Sequence, residues 1–146
     1  MIFRLSVFIK SVAPLQAHVS KKVLVLHALK SFSTAESSLG DEEVHLCQAK
    51  AGPSYFDKIE GKDELLEKAV DSIRHALRAY QVQFSEEIKK AGEQKRRAIY
   101  SVDIQFDEAK QNAYILGFSF APAENLDYNE AFKALFLDET TDLAEI

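Results

Sequence analysis

Cysteine is almost missing from this chain: Cys47 stands alone, so no internal disulfide can form, and no Cys/His cluster at zinc-ligand spacing accompanies it. That usage fits a reducing compartment, and in its Leu-Cys-Gln setting Cys47 reads as a small packed residue rather than a nucleophile. A surplus of base is lacking too. Eighteen Lys and Arg against 23 Asp and Glu leave a net charge of -5, which argues against nucleic acid and anionic membranes as partners, since both reward excess cations. No run approaches the roughly 20 apolar residues that span a bilayer. Lys10 interrupts the apolar stretch near Met1 that would otherwise imitate a secretory core. The five glycines are scattered, so no Gly-rich phosphate loop is formed. A cytoplasmic protein is the expectation.

What is present suffices for one core, because 146 residues at 47% hydrophobic content favour a single domain. Phe3, Leu5, Val7 and Ile9 alternate with Arg4, Ser6 and Lys10, the pattern of a strand. Ser11 to Pro14 reads as a turn, Leu15 to Val19 as a second strand, and Lys22 to His27 as a third whose continuous apolar run suits burial on both faces. Lys30 to Asp41 has loop composition, and Glu43 to Gln48 reads as a short edge strand. Leu66, Val70, Ile73, Leu77, Tyr80 and Phe84 recur at helical spacing, predicting one helix or two in series from Asp63 to about Ala91. Acid at Asp63 and Glu64, and base from Lys89 to Arg97, suit the two ends of the helix dipole. A last helix, Asn129 to Leu137, would turn Phe132, Leu135 and Phe136 inward, and the acidic residues 138–146 would form a loose tail.

Two alternating runs, Ala98 to Ile104 and Tyr114 to Pro122, flank the turn-rich Asp-Glu-Ala-Lys-Gln-Asn and predict an antiparallel hairpin. Strict alternation puts Tyr100, Val102 and Ile104 on one face, with Tyr114, Leu116, Phe118 and Phe120. Asp103 then points the other way, where its neighbours across the hairpin are Gly117 and Ser119 rather than further cation ligands.

The order of these segments resembles the C-terminal part of the ATP-grasp module of the tubulin-tyrosine ligase-like family, with the closest likeness to its twelfth, SET-domain-bearing member. Arg4 through Lys10-Ser11-Val12-Ala13-Pro14-Leu15 is similar to the family's first strand, turn and Pro-Leu strand. Tyr100 to Asp103 is similar to its Val-Asp strand, and Ile115 to Pro122 with Phe132 to Glu139 to its Leu-Glu-Val-Asn strand and closing helix. The resemblance implies an α+β fold, a mostly antiparallel sheet packed by one long and one short helix. It implies a partial ATP-grasp domain over residues 1–137, followed by the acidic tail. Family members join an amino acid to a protein carboxylate through ATP and magnesium. Matched residue by residue, Asp103 takes the place of the family's metal-binding Asp and Arg4 that of an Arg at the nucleotide and substrate cleft, while Gly117 replaces a metal-binding Glu and Ser119 an Asn. His45-Leu46-Cys47-Gln48 resembles a His-Leu-Thr-Asn stretch, and Leu26 stands where an Arg is usual.

Each sharp reading has a plainer rival. Asp103 is a magnesium ligand or an inherited polar-face residue, and one carboxylate rarely holds magnesium without phosphates beside it. Arg4 meets an anionic ligand or covers an exposed edge. Glu42, Glu43 and His45 read as a solvated acidic edge, His75 as a boundary residue, and the Lys89 to Arg97 cluster as solvated base. The expectation is a divergent, inactive or truncated family member that needs no cofactor by itself and binds tubulin or another protein. The alternative is an ATP-dependent amino-acid ligase completed by an upstream nucleotide-binding lobe. Without that lobe, Phe3, Leu5 and Phe8 would lie uncovered and promote self-association.

Overall fold

The alternation near Met1 becomes the strand that the rest of the sheet is built around. The computed structural model describes residues 1–28, 30, 31, 33–45, 48, 49, 53–93, 97–107, 109–120, 126–137 and 143–146, and in it β1 spans Ile2–Val12. The next strands are β2 (Leu15–Ser20), β3 (Leu24–His27), β4 (Gln48–Ala49), β5 (Ala98–Phe106), β6 (Ala113–Ser119) and β7 (Leu143–Glu145). One side of β1 pairs with β5 from Ile2 to Ile9, while the other pairs with β3 through Ile2–Arg4 and with β2 through Val7–Val12. Beyond them, β6 pairs β5, β4 pairs β3 and β7 pairs β2, all antiparallel. The fold is α+β with an antiparallel sheet.

Helices lie against both faces. The helices are α1 (Glu42–His45), α2 (Lys62–Gln83), α3 (Ser85–Glu93) and α4 (Tyr128–Phe132), the last continuing into a π-helical turn, Lys133–Leu137. Short 3-10 turns occupy Glu36–Ser38 and Pro53–Lys58. Phe3, Leu5, Val7 and Ile9 of β1, with Val102 and Ile104 of β5, pack against Leu65, Ala69, Val70 and Ile73 of α2. Each of these side chains except that of Ala69 contributes about 1.5–3 kcal/mol when fully buried. Phe3 also meets Phe56 and Phe106 edge-on, at 5.4 and 5.0 Å between ring centres. Phe8 points to the opposite face, where Ala131, Ala134 and Leu135 cover it. Gly61 precedes α2 with φ +71, a left-handed conformation that costs glycine little, and Asp63 and Glu64 in the first turn suit the helix dipole.

Several expectations change. β1 is central rather than an open edge, and Phe3, Leu5 and Phe8 are fully buried because strands flank them and helices lie on both faces. The first strand runs to Val12, so only Ala13 and Pro14 remain for the turn. Glu42 to His45 is helical, and the edge strand shrinks to Gln48–Ala49. Of the two forms expected for the long helix, two in series is the one realised, with the break at Phe84 between α2 and α3. Along α2 the buried stripe is turned toward Leu65, leaving Tyr80 56% exposed and His75 exposed rather than at the boundary. Phe132 and Phe136 face outward while Ala131, Ala134 and Leu135 are buried, because small residues let the segment approach Phe8. The end of the expected tail adds β7 to β2, with Ala144 and Ile146 against the main core. Cys47, Lys95, Arg96, Pro122 and residues 138–142 lie outside the described residues.

Candidate functional site

The register of three strands sets the site. Arg4 of β1 lies opposite Asp103 of β5, which lies opposite Gly117 of β6, so a guanidinium, a carboxylate and a residue without a side chain form one row across the sheet. In the adjoining row Ser6 faces Ser101, and Ser101 faces Ser119. These residues share the face opposite α2. Together with Leu116 and Phe118, Arg4, Ser101, Asp103, Gly117 and Ser119 line a cleft of about 350 Å³.

Arg4 and Asp103 form a two-pronged ion pair: Nε donates to Oδ1 at 2.7 Å and Nη2 to Oδ2 at 2.8 Å. Both side chains are about a third exposed, at 32% and 28%, so solvent screens the pair and its worth is about 0.5–1 kcal/mol. Its chemical consequence is larger than its energy. Both carboxylate oxygens already accept hydrogen bonds from a permanent cation, and a metal ion at Asp103 would sit beside that fixed positive charge. Magnesium prefers octahedral oxygen ligation through carboxylates and phosphates. Gly117 offers no donor atom and Ser119 only a neutral hydroxyl, so the residues at 103, 117 and 119 do not fit magnesium. Crowding is not the reason, since a Cβ placed on Gly117 would meet nothing within 4 Å. Among the described residues no cluster of three or more His, Cys, Asp or Glu side chains is arranged to hold a metal ion.

The hairpin departs from strict alternation at one point. Asp103 pairs with Gly117 but Ile104 pairs with Ile115, which leaves Leu116 as an extra residue in a bulge. Beyond it the strand's phase reverses: Ile115 packs against the main core, while Tyr114, opposite Gln105, and Leu116 are exposed. The expected grouping of Tyr114 and Leu116 with Phe118 on the apolar face is therefore overturned, although Asp103, Gly117 and Ser119 keep the face expected for them.

The other candidates do not converge on this cleft. Glu42 and Glu43 are exposed on α1, with Lys30 Nζ reaching Asp41 and Glu43 at 2.8 Å each, a solvated acidic surface as expected. Arg97 is not simply a solvated base. Its Nε donates to the Leu135 carbonyl at 2.9 Å, and its guanidinium stacks 4.8 Å from the Phe136 ring, tying β5 to the π-helical turn. Leu26 is buried in β3. Sequence reasoning missed a clasp at the start of α4. Asp127 accepts hydrogen bonds from the backbone N–H groups of Asn129 and Glu130 at 2.9 and 3.1 Å, and Lys22 Nζ donates to it at 2.8 Å. The Lys22 bond holds the Asp127 carboxyl below its ordinary pKa and raises that of Lys22. Ser20 Oγ donates to Glu130 at 3.0 Å. Asp-Tyr-Asn-Glu at 127–130 has capping-box spacing, the signal that could have located this helix start.

The sequence profile of the tubulin-tyrosine ligase family matches residues 3–127, which include all of the strands that form the cleft. No curated protein matches the chain.

Proposed function

Because the chain belongs to the tubulin-tyrosine ligase family, we propose that it is a divergent member without ligase activity of its own, whose retained role is to bind tubulin or another protein in the cytoplasm. The observation that carries this reading is the Arg4 guanidinium lying across both oxygens of Asp103, at 2.7 and 2.8 Å, beside a glycine. Ligation through an acyl phosphate needs cations that neutralise the transferring phosphoryl group. Here a side-chain cation already neutralises the one carboxylate that the described residues bring to the cleft. The likeness to the SET-domain-bearing member belongs to the same proposal and rests on the order of the matched segments.

Calorimetric titration of the 146-residue chain with magnesium-ATP tests the first half, and the expected result is no saturable heat. Saturable micromolar binding would overturn it and favour the second reading, an amino-acid ligase completed by an upstream nucleotide-binding lobe, because that reading requires a usable cation at Asp103. Co-sedimentation with microtubules tests the binding role. Recovery of the chain only in the supernatant, at every tubulin concentration, would move the role to a different protein.

A further inference from the structure

On the sheet face opposite Arg4 and Asp103, the end of the β5–β6 hairpin and the junction of α2 with α3 leave a recess of about 340 Å³. Ile9, Leu77 and Ile88 supply aliphatic walls, and Tyr100, Phe118 and Phe120 an aromatic one. The rings are mutually braced. Tyr100 meets Phe120 at 4.7 Å with a 42° tilt and Phe118 edge-on at 6.1 Å, while Tyr80, which also lines the recess, lies 4.6 Å from Phe84. Ala76 is the reason for the space, since α2 presents only a methyl group there between longer neighbours.

We infer that this recess is a binding site for an uncharged small molecule of two or three linked or fused rings, separate from the family's catalytic face. Size is the first argument, because pockets for such ligands run from roughly 300 to 1,000 Å³ and this one lies at the small end. The walls are the second: among the described residues no Lys, Arg, Asp or Glu lines it, so a charged ligand would lose hydration without gaining a partner there. Tyr100 is neutral at physiological pH as any ordinary phenol is, and burial, with Tyr80 adding to the shift, pushes its pKa further up. The third is geometry. Ring contacts favour offset or edge-on partners about 4.5–7 Å away, and three aromatic side chains on one wall present that arrangement to a flat guest. The gently concave space suits one compact molecule better than a protein segment, whose interface would bury about 800 Å² on each partner.

The test uses N-phenyl-1-naphthylamine, an uncharged three-ring fluorophore, titrated into the full chain. Expected are saturable one-to-one binding with blue-shifted emission and at least about tenfold weaker binding in Ala76→Phe, which fills the recess. Phe120→Ser, altering a side chain 78% exposed at the mouth, should weaken binding with little risk to folding. Leu116→Ser and Phe132→Ser remove exposed apolar groups elsewhere and should leave binding unchanged. Absent or non-saturable binding, or equal loss in all four variants, would overturn the inference. So would a dimer in sedimentation that Ala76→Phe dissociates, because the recess would then be filled by a second copy.

Discussion

Asp103 was placed off the apolar face by counting along its own strand, but its partner could not be found that way. Arg4 lies 99 residues earlier, and only the register of β1 against β5 brings the two together. Local patterning carries parity; pairing across such a distance depends on which strands become neighbours. A stepwise test, restoring both ligands and then removing the guanidinium, follows from the same geometry. Gly117→Glu with Ser119→Asn should fold with little change in stability, since nothing obstructs a Cβ at 117, yet manganese resonance titration should detect no binding while Arg4 remains. Adding Arg4→Ala should give at least millimolar affinity, and an unchanged blank would mean that the guanidinium is not the obstacle. His18, on β2 between Phe8 and Glu145, is a second residue with a measurable signature. Burial lowers its pKa, Glu145 opposes that and Lys10 adds to it. A histidine whose folded pKa lies below its unfolded value stabilises the fold fully above about pH 6.5 and loses that contribution as pH falls below it toward the folded pKa. The urea midpoint should therefore drop between about pH 7.5 and about pH 5.5 by less in His18→Gln than in the parent chain.

Elements were legible where one period ran unbroken. The alternation from Phe3 to Ile9 and the three-four spacing along α2 were both realised, whereas the face of α2 was misjudged at its ends. Leu65 is buried and Tyr80 is not, because the sheet beneath α2 supports its first half and the recess lies beneath its last turns. Ile73→Ala, at a fully buried position, should cost about 2–4 kcal/mol in chemical denaturation. Exposed Lys90 should tolerate Ala within about 0.5 kcal/mol, and equal losses at both sites would contradict the assigned face. The bulge was not legible, because composition does not announce an extra residue in a strand whose neighbours on either side keep alternating. It makes a counterintuitive deletion testable. Removing Leu116 should join the two halves of β6 into one continuous ladder, with Gly117 still opposite Asp103 and Ile115 still opposite Ile104. Thermal melting should shift by only a few degrees, whereas collapse of the folded state would show that the bulge is required.

At the scale of the molecule, both apolar clusters meet at β1, which sends Phe3, Leu5, Val7 and Ile9 to one and Phe8 to the other. The family's segment order carried the fold class, but the coverage of β1 on both faces was not legible, because it depends on the returning chain at 126–137 as well as on α2. Amide exchange should accordingly be slowest in Leu5 to Phe8 and match global unfolding there, with β4 and β7 exchanging through local opening. Early loss of protection in Leu5 to Phe8 would show that the two clusters open independently. The position of this strand also bears on synthesis. Its longest pairing is with residues about 100 positions later, and at about 5–20 residues per second the ribosome needs roughly 5–20 s to deliver them. For that interval a run of large apolar side chains waits without its chief partner, an opening for chaperones that recognise extended hydrophobic segments on nascent polypeptides.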